Sequence, residues 1–261
     1  MTDQDFLSVV ERSVAARIAG DLAAAASLAT DAAHMRPDEP SAWHTLAMAT
    51  ADLGLHSEAL YARQRAVDLI RSAGPVPASM RQYVQQCVFG YATSLLLAGR
   101  WAEAWTSWEV GRLGYSWNPA PGTQYWQGER ADCSLLVVCE GGYGDLFLFS
   151  RFLPLLRAKF PGRIGLFVWP GLALGFRNWS WAGIAPEDVY EIGQQFPTGV
   201  WTHSTSIMSL PGQLGVNSAR DIPEDTWRPR LNGRRASSGG IGFCWRSEEN
   251  QTKRRFRSLP H

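Results

Sequence analysis

The chain has 261 residues, of which 45% are apolar, and its formal net charge is +1 at pH 7. This length and apolar fraction are typical of one or two globular domains. The near-zero net charge excludes a general electrostatic attraction to nucleic acid or to an anionic membrane. The longest uncharged stretch, Ile164 to Phe176, is too short to cross a bilayer. We therefore predict no nucleic-acid partner and no membrane span.

The four cysteines are Cys87, Cys133, Cys139 and Cys244, and they lack Cys-x-x-Cys spacing. We interpret them as reduced side chains that pack as small hydrophobes. The acidic first residues, Met1–Asp5, lead into an amphipathic segment and predict that no signal peptide is present. Together these features predict a cytoplasmic protein.

We predict no metal site. Three histidines, His34, His44 and His56, fall in the first part of the chain and lack ligand spacing with a cysteine or paired carboxylates. The chain also lacks the Gly-Lys-Ser/Thr sequence of a P-loop. We therefore expect no bound metal and no resident cofactor.

A pattern with a period of 34 residues runs through the first part of the chain. The recurring small residues are Gly20, Ala25 and Ala32, followed by Gly54, Ala59 and Ala66. This is the period of tetratricopeptide repeats, in which small residues allow two helices to approach closely. After a proline- and glycine-rich insertion at 74–77, Gly99 and Ala104 mark a third unit. We predict an all-α tetratricopeptide-repeat domain over 1–114, which either binds a partner or braces the domain that follows.

A tryptophan stripe lies near the end of these repeats. Trp101, Trp105 and Trp108 would share one face of a helix, where aromatic residues are more often core than ligand site. The stretch Asn118–Gly122 contains two prolines and a glycine, so we predict a linker over 115–130.

The stretch from Leu135 to Phe160 predicts a strand, a turn and a helix in succession. Leu135–Cys139 is a short apolar run, as in a central strand of a parallel sheet. Gly141, Gly142 and Gly144 allow a sharp turn, and a helix should begin near Asp145. We expect Pro154 to kink or break this helix. Such a turn places free backbone N–H groups at the carboxyl edge of the sheet, where α/β proteins bind ligands.

Further strands are predicted at Ile164–Val168, at Asp188–Ile192, near Val200 and at Gly240–Trp245. Alternating strands and helices predict a Rossmann-like parallel sheet with helices on both faces. The fold class is therefore all-α repeats followed by α/β. We place the α/β domain at 131–236 and the start of a further sheet domain at 237–261.

Five motifs in chain order resemble the bacterial tetratricopeptide-linked glycosyltransferases. They are Trp126-x-Gly128 before the first strand, Glu140–Asp145, Phe149–Leu156, Ser209–Pro211, and the Gly-x-x-Trp of Gly242–Trp245. These glycosyltransferases are related to heptosyltransferases and, more distantly, to O-linked N-acetylglucosamine transferases. The resemblance covers most of the chain.

The resemblance implies a GT-B fold, in which the first of two Rossmann-like halves receives the acceptor and the second binds a nucleotide-sugar donor. It implies that Asp145 is a catalytic base, although an N-cap role is the common one for Asp at a helix start. Glu140 is the alternative base, or a carboxylate that bonds to loop N–H groups. Substrate would be bound by Gly141, Gly142 and Gly144 together with Arg151 and Arg246, the last through donor phosphate. The alternatives are an exposed or carboxylate-paired Arg151 and a solvated tail around Arg246.

The sequence departs from the family pattern in two places. Gly141 replaces the usual glutamine, and Trp201 stands near the place of an expected acidic residue. The chain also stops at His261, so we expect it to lack most of the donor-binding half and to be inactive by itself.

Two functions stay open. One is a glycosyltransferase-like enzyme that uses a nucleotide sugar and a protein or glycan acceptor held by the repeat face. The other is a non-enzymatic tetratricopeptide module that holds a protein partner.

Overall fold

The computed structural model describes residues 2–113, 120, 122–129, 133–177, 183–193 and 199–222. Six helices come first: α1 (Asp3–Ala19), α2 (Leu22–Met35), α3 (Pro40–Asp52), α4 (His56–Ser72), α5 (Arg81–Leu97) and α6 (Trp101–Leu113). They form three successive hairpins, so the predicted helical repeats are confirmed. None of the helices in the described ranges is long and apolar enough to cross a membrane.

Small residues set the geometry of the hairpins. Gly20, Gly54 and Gly99 follow the first helix of the three hairpins and all have positive φ, between 75° and 86°. The left-handed conformation suits glycine, which has no Cβ to clash with the backbone. Between the hairpin helices the core consists largely of alanines, among them Ala25 and Ala59 at equivalent positions of α2 and α4. The backbones can therefore lie close together.

A five-stranded parallel sheet follows in the order β1-β5-β2-β3-β4. Its strands are β1 (Gln124–Tyr125), β2 (Leu135–Val138), β3 (Ile164–Val168), β4 (Val189–Glu191) and β5 (His203–Ser206). Strands β2, β3 and β4 lie where the apolar runs predict them. The predicted strand at Gly240–Trp245 lies outside the described residues.

The prediction of a short apolar strand near Val200 is wrong, because the strand there is β5, whose sequence His-Ser-Thr-Ser is polar. Ser204, Thr205 and Ser206 are nonetheless buried, and each hydroxyl has a hydrogen-bond partner. Hydroxyls can be buried without a large penalty only when they have such partners. Strand β1 falls inside the range 115–130 that we predict as a linker, and it pairs with β5.

Four helices accompany the sheet: α7 (Tyr143–Ser150), α8 (Leu153–Lys159), α9 (Ala173–Arg177) and α10 (Leu210–Gln213). The break between α7 and α8 at 151–152 confirms the predicted interruption, since Pro154 lies in the first turn of α8. Alternate residues of β2 face two cores: Leu135 and Val137 meet these helices, while Leu136 and Val138 pack with Trp201. The expected helices on both faces are not found, because those within the described ranges contribute to one face only.

The tryptophan stripe of α6 joins the repeats to the sheet. The indole N–H of Trp105 donates to the Val216 carbonyl at 2.6 Å, and that of Trp108 donates to the Met208 carbonyl at 3.0 Å. The Trp108 ring also packs between Phe89 of α5 and Phe149 of α7. The stripe is therefore core, as expected, and it fixes α6 against the α/β part.

A partly buried polar cluster lies between α3, α4 and α5. His44 Nδ1 is 3.4 Å from the Cys87 sulfur, and the guanidinium of Arg63 donates to hydroxyls of Thr93 and Ser94 at 2.9 Å. Burial, reinforced by the positive charge of Arg63, lowers the pKa of His44 to about 4. His44 is therefore neutral in the folded protein at pH 7.

We expect Gly111→Ala in α6 to destabilise the protein by about 1–3 kcal/mol, although alanine favours helix. A Cβ at Gly111 would lie 2.6 Å from the backbone nitrogen of Phe89. Gly175→Ala in α9 is the matched control, because nothing lies within 4 Å of its Cβ; it should stabilise by about 0.5–1 kcal/mol. Urea denaturation of both variants measures the difference, and equal effects would contradict the close approach of α5 and α6.

We expect the free energy of unfolding to fall between pH 6.5 and pH 4 because of His44. Its folded pKa lies below the ordinary value of 6.5, so the unfolded chain binds the proton first and folding loses stability as the pH falls. The loss from this residue should be about 2–3 kcal/mol, since each pKa unit corresponds to 1.36 kcal/mol. His44→Gln should flatten the measured pH dependence, whereas His34→Gln, on an exposed part of α2, should not.

Candidate functional site

The glycine turn lies at the carboxyl end of β2. Gly141 has φ +74°, and a Cβ there would lie 2.5 Å from Asp145 Oδ2. The N–H of Gly142, the residue before α7, donates to the same Asp145 oxygen at 2.8 Å. A Cβ added at Gly144 would meet nothing within 4 Å, and its φ is not positive, so this position would admit a larger residue. Asp145 therefore has the N-capping interaction at the start of α7, which is the role that the sequence offered as the alternative to a catalytic base.

Only one oxygen of the Asp145 carboxylate takes part in this cap. Oδ2 accepts the Gly142 N–H, whereas Oδ1 has no hydrogen-bond partner among the described residues. The side chain is half-buried, and its contact with Gly142 places it beyond the carboxyl end of β2. One oxygen is therefore fixed and the other can accept a proton or a hydrogen bond from a ligand.

Glu140 is bonded through both of its oxygens. Oε1 accepts from Arg112 Nε at 3.3 Å, and Oε2 accepts from Arg112 Nη2 and from the Ser206 hydroxyl, the latter at 2.7 Å. Ser206 ends β5, so Glu140 bridges β2 and β5. In the sheet, β3 and β4 lie on one side of β2, and β5 lies on the other side of β2. Glu140 therefore occupies the switch point where open α/β sheets bind ligands.

Arg112 on α6 organises this switch point, and none of the sequence motifs pointed to it. Its side chain is 6% exposed. Besides Glu140, it donates to Glu109 Oε1 at 3.3 Å and to the Ser209 hydroxyl at 2.8 Å. A weak signal was present in the sequence, because Glu109 and Arg112 lie at i and i+3 on the helix that bears the tryptophan stripe.

Tyr125 of β1 extends the network. Its hydroxyl donates to Glu109 Oε2 at 2.7 Å, and the Gln213 amide reaches both this hydroxyl and the Trp126 carbonyl. Burial, followed by the negative charge of Glu109, raises the pKa of Tyr125 to about 12. The hydroxyl is therefore a protonated donor, and the network ties β1, β5 and α6 together.

A cleft of about 280 Å³ adjoins Glu140 at the carboxyl ends of β2, β3 and β4. Its lining consists of Val138, Cys139, Glu140, Gly141, Phe167, Trp169 and Ile192. Burial raises the pKa of the Cys139 thiol to about 12, so this cysteine is not a nucleophile at neutral pH. The cleft is thus an apolar space with one carboxylate at its edge.

A second carboxylate caps a helix at this edge. Glu191 ends β4, and its Oε1 accepts from the N–H groups of Gly171 at 3.0 Å and Ala173 at 3.2 Å, where α9 begins. Asp145 does the same for α7. The prediction that the turn offers free N–H groups is therefore wrong for Gly142, because Asp145 accepts the hydrogen bond from its N–H.

The remaining predicted site residues are not brought to the turn. Arg151 follows the last residue of α7, at the end away from the glycines, and forms no ion pair with a described carboxylate. Arg246 lies outside the described residues. Within the described ranges, no three His, Cys, Asp or Glu side chains are grouped to hold a metal ion.

Comparisons with known proteins give limited similarity. No known family profile matches the chain. Over 141 residues it is 31% identical to Protein FlbA of Caulobacter vibrioides, a match that covers 52% of this chain and 22% of FlbA. A solved mutant of the O-GlcNAc transferase of Thermobaculum terrenum aligns with 64% of this chain and 38% of its own, at 14% identity and a TM-score of 0.27. The chain therefore spans about a fifth of the curated relative, and these similarities do not establish an activity.

We expect Arg112→Met to destabilise the protein by about 3 kcal/mol, because two carboxylates would lose their shared cation. This loss of stability is at the low end of the range for breaking a buried ion pair, because the Glu109 and Glu140 side chains remain 23% and 26% exposed. Adding Glu140→Gln should recover part of the loss by removing an unpaired charge. Arg100→Met, which breaks an exposed ion pair, is the control and should change thermal stability little. Equal effects of the two arginine substitutions would show that the network is not stabilising.

Proposed function

We propose that the protein is glycosyltransferase-like and that the described α/β part is the acceptor-binding, Rossmann-like half of a GT-B fold. The observation that carries the proposal is the Asp145 carboxylate, which has one oxygen fixed by the glycine turn and one unbonded oxygen at the carboxyl edge of a parallel sheet. The same proposal includes a nucleotide-sugar donor, a cytoplasmic location and the domain bounds 1–114, 115–130, 131–236 and 237–261.

In the proposed reaction, Asp145 Oδ1 accepts the proton of an acceptor hydroxyl. The hydroxyl oxygen then forms a bond to the anomeric carbon of the donor sugar, and the bond from that carbon to the nucleotide phosphate oxygen breaks. The nucleoside diphosphate leaves with the bonding electron pair. Its charge needs cationic groups or helix N-termini for stabilisation, and Arg246 is the residue we propose for this role.

Asp145 suits the base role better than Glu140. Both Glu140 oxygens are engaged by Arg112 and Ser206, so Glu140 would have to break an ion pair before it accepted a proton. The Asp145 cap also holds the carboxylate in one orientation, as a base requires. In this proposal Glu140 orients the acceptor and Asp145 removes its proton.

A specific observation favours the second candidate function, a module that holds a protein partner. A groove of about 640 Å³ lies on the helical repeats and is lined by residues of α2, α3 and α4 together with Leu55. Trp43 and Tyr61 form an edge-to-face pair in it, with ring centroids 5.8 Å apart. Exposed aromatic grooves on helical repeats are suited to peptides.

Asp145→Asn in the complete gene product tests the proposed base. The asparagine Oδ1 can still accept the Gly142 N–H, so the cap should persist while sugar transfer falls by about 10²- to 10⁴-fold. Transfer to water, followed as nucleoside diphosphate release from a panel of nucleotide sugars, requires no knowledge of the acceptor.

Asp5→Asn is the matched control. Asp5 closes an equivalent turn at the start of α1 through the Thr2 N–H at 2.8 Å, far along the chain from the glycine turn. It should leave the rate unchanged. An undiminished rate in Asp145→Asn would refute the base assignment. Failure of the wild-type protein to release nucleoside diphosphate from any donor would favour the interaction module.

A further inference from the structure

We propose that the groove on the helical repeats is the docking site for an amphipathic helix of a protein partner. This helix presents leucine-sized side chains to the groove and lysine or arginine to its rim. The inference rests on the second candidate function, since it gives the partner of that module its chemistry. It does not depend on the glycosyltransferase proposal.

The groove lies along three helices. Both α2 and α4 pack on α3, and each of the three contributes to the lining. The lining residues are Ala26, Ser27 and Thr30 of α2, Trp43, Leu46 and Thr50 of α3, and Ser57, Glu58 and Tyr61 of α4, with Leu55. A groove between helices is a shape that receives the apolar face of another helix.

The equivalent space one hairpin further along is filled by the chain's own side chains. The repeat period places Leu60 and Gln64 of α4 at the positions of Ala26 and Thr30 of α2. Leu60 packs against the buried cluster that includes Tyr91, and Gln64 accepts a hydrogen bond from the Tyr91 hydroxyl. The α2 side chains are too short to do the same. The groove is therefore open where a side chain of leucine size is missing.

Large apolar side chains remain exposed around the groove. Tyr61 is 59% exposed and Leu55 is 44% exposed. The indole N–H of Trp43 already donates to the Pro37 carbonyl at 2.8 Å, so Trp43 offers its ring to a ligand. Exposed apolar groups gathered at one place are typical of an interaction site, and an aliphatic side chain that covered them would remove their surface from water.

The carboxylates beside the groove lack cationic partners. Glu58 and Asp31 form no ion pair with any residue in the described ranges. Asp31 follows Ser27 by one helical turn, so it lies on the side of α2 that borders the groove. A lysine or arginine next to the leucine anchor would give these carboxylates a partner, and complementary charge of this kind supplies specificity.

The third hairpin shows how such a carboxylate is otherwise paired. Glu103 occupies the position of Glu58 and forms an ion pair with Arg100 at 2.6 Å. In the second hairpin the residue equivalent to Arg100 is Leu55, which lines the groove. The groove thus has an apolar residue and an unpaired carboxylate where the third hairpin has an internal ion pair.

One cation also borders the groove. The guanidinium carbon of Arg65 lies 5.6 Å from the centroid of the Trp43 ring. Arg65 follows Glu58 by two turns of α4, so the two charges lie at different places along this helix. We therefore expect the basic residues of the partner beside Glu58 and its apolar residues beside Trp43.

Fluorescence anisotropy with the 261-residue chain tests the inference. The probe is a labelled amphipathic peptide with leucine on one helical face and lysine on the other, and the comparison is the same peptide with glutamate in place of lysine. The lysine peptide should bind saturably at micromolar concentration. The glutamate peptide should bind at least about tenfold more weakly, because it meets carboxylates of its own sign.

Filling the groove should prevent binding. Ala26→Leu introduces the side chain that α4 carries at Leu60, and it should weaken binding of the lysine peptide at least about tenfold. Ala102→Leu, on an exposed part of α6, is the matched control and should leave binding unchanged. Tyr61→Ser removes an exposed ring without altering the buried core, and it should also weaken binding. Thermal unfolding shows whether each variant is folded.

A second pair of variants tests the charge. Glu58→Gln should weaken binding of the lysine peptide about two- to fivefold, which is the effect of one exposed ion pair. High salt should remove this difference. Glu103→Gln makes the same change at the equivalent position, where the carboxylate is already paired, and should not alter binding. Equal effects of the two substitutions would contradict recognition by Glu58.

The outcomes separate this inference from the proposed functions. Binding of the lysine peptide that persists in both Ala26→Leu and Tyr61→Ser would overturn the groove assignment and leave the interaction module intact, because the peptide would then bind elsewhere. Stronger binding of the glutamate peptide would overturn the charge assigned to the partner. Failure of both peptides to bind would refute the inference together with the observation that favours the module, and the transferase proposal would stand on its own test.

Discussion

The structure depends on one arginine that two carboxylates share. Arg112 leaves α6, lies nearly buried, and joins Glu109 of the repeats to Glu140 of the sheet and to Ser209 before α10. A buried guanidinium is tolerated only where its donors are satisfied. Because these partners come from distant parts of the chain, the position of α6 and the assembly of the switch point depend on each other.

The same requirement for satisfied polar groups shapes the carboxyl edge. Asp145 accepts the Gly142 N–H before α7, and Glu191 accepts two N–H groups where α9 begins. The buried strand β5 tolerates its polar sequence because each of its buried hydroxyls has a hydrogen-bond partner. The edge therefore combines a rigid backbone with an acidic surface.

Local features were predictable from the sequence, and long-range ones were not. The apolar runs located β2 and β3, and the glycines located the turn, since both signals act within a few residues. Strand β5 was missed because its burial relies on side-chain partners such as Glu140 that no window of the sequence contains. Arg112 was missed for the same reason: its partners lie 28 and 97 positions away. The capping role of Asp145 could be foreseen as an alternative, because it involves residues three apart.

The hydrogen bonds of the Trp105 and Trp108 indoles also affect where the repeats can be separated from the α/β part. These bonds, with Arg112, attach α6 to the sheet, and α5 follows through the close contact at Gly111. The third hairpin therefore contacts both parts: α6 is bonded to the α/β part, and α5 packs on α4 through Val67 and the Arg63 cluster. A fusion that replaces the first two hairpins by another solenoid would therefore have to keep the surface of α4 that covers α5, with Leu60, Arg63 and Val67.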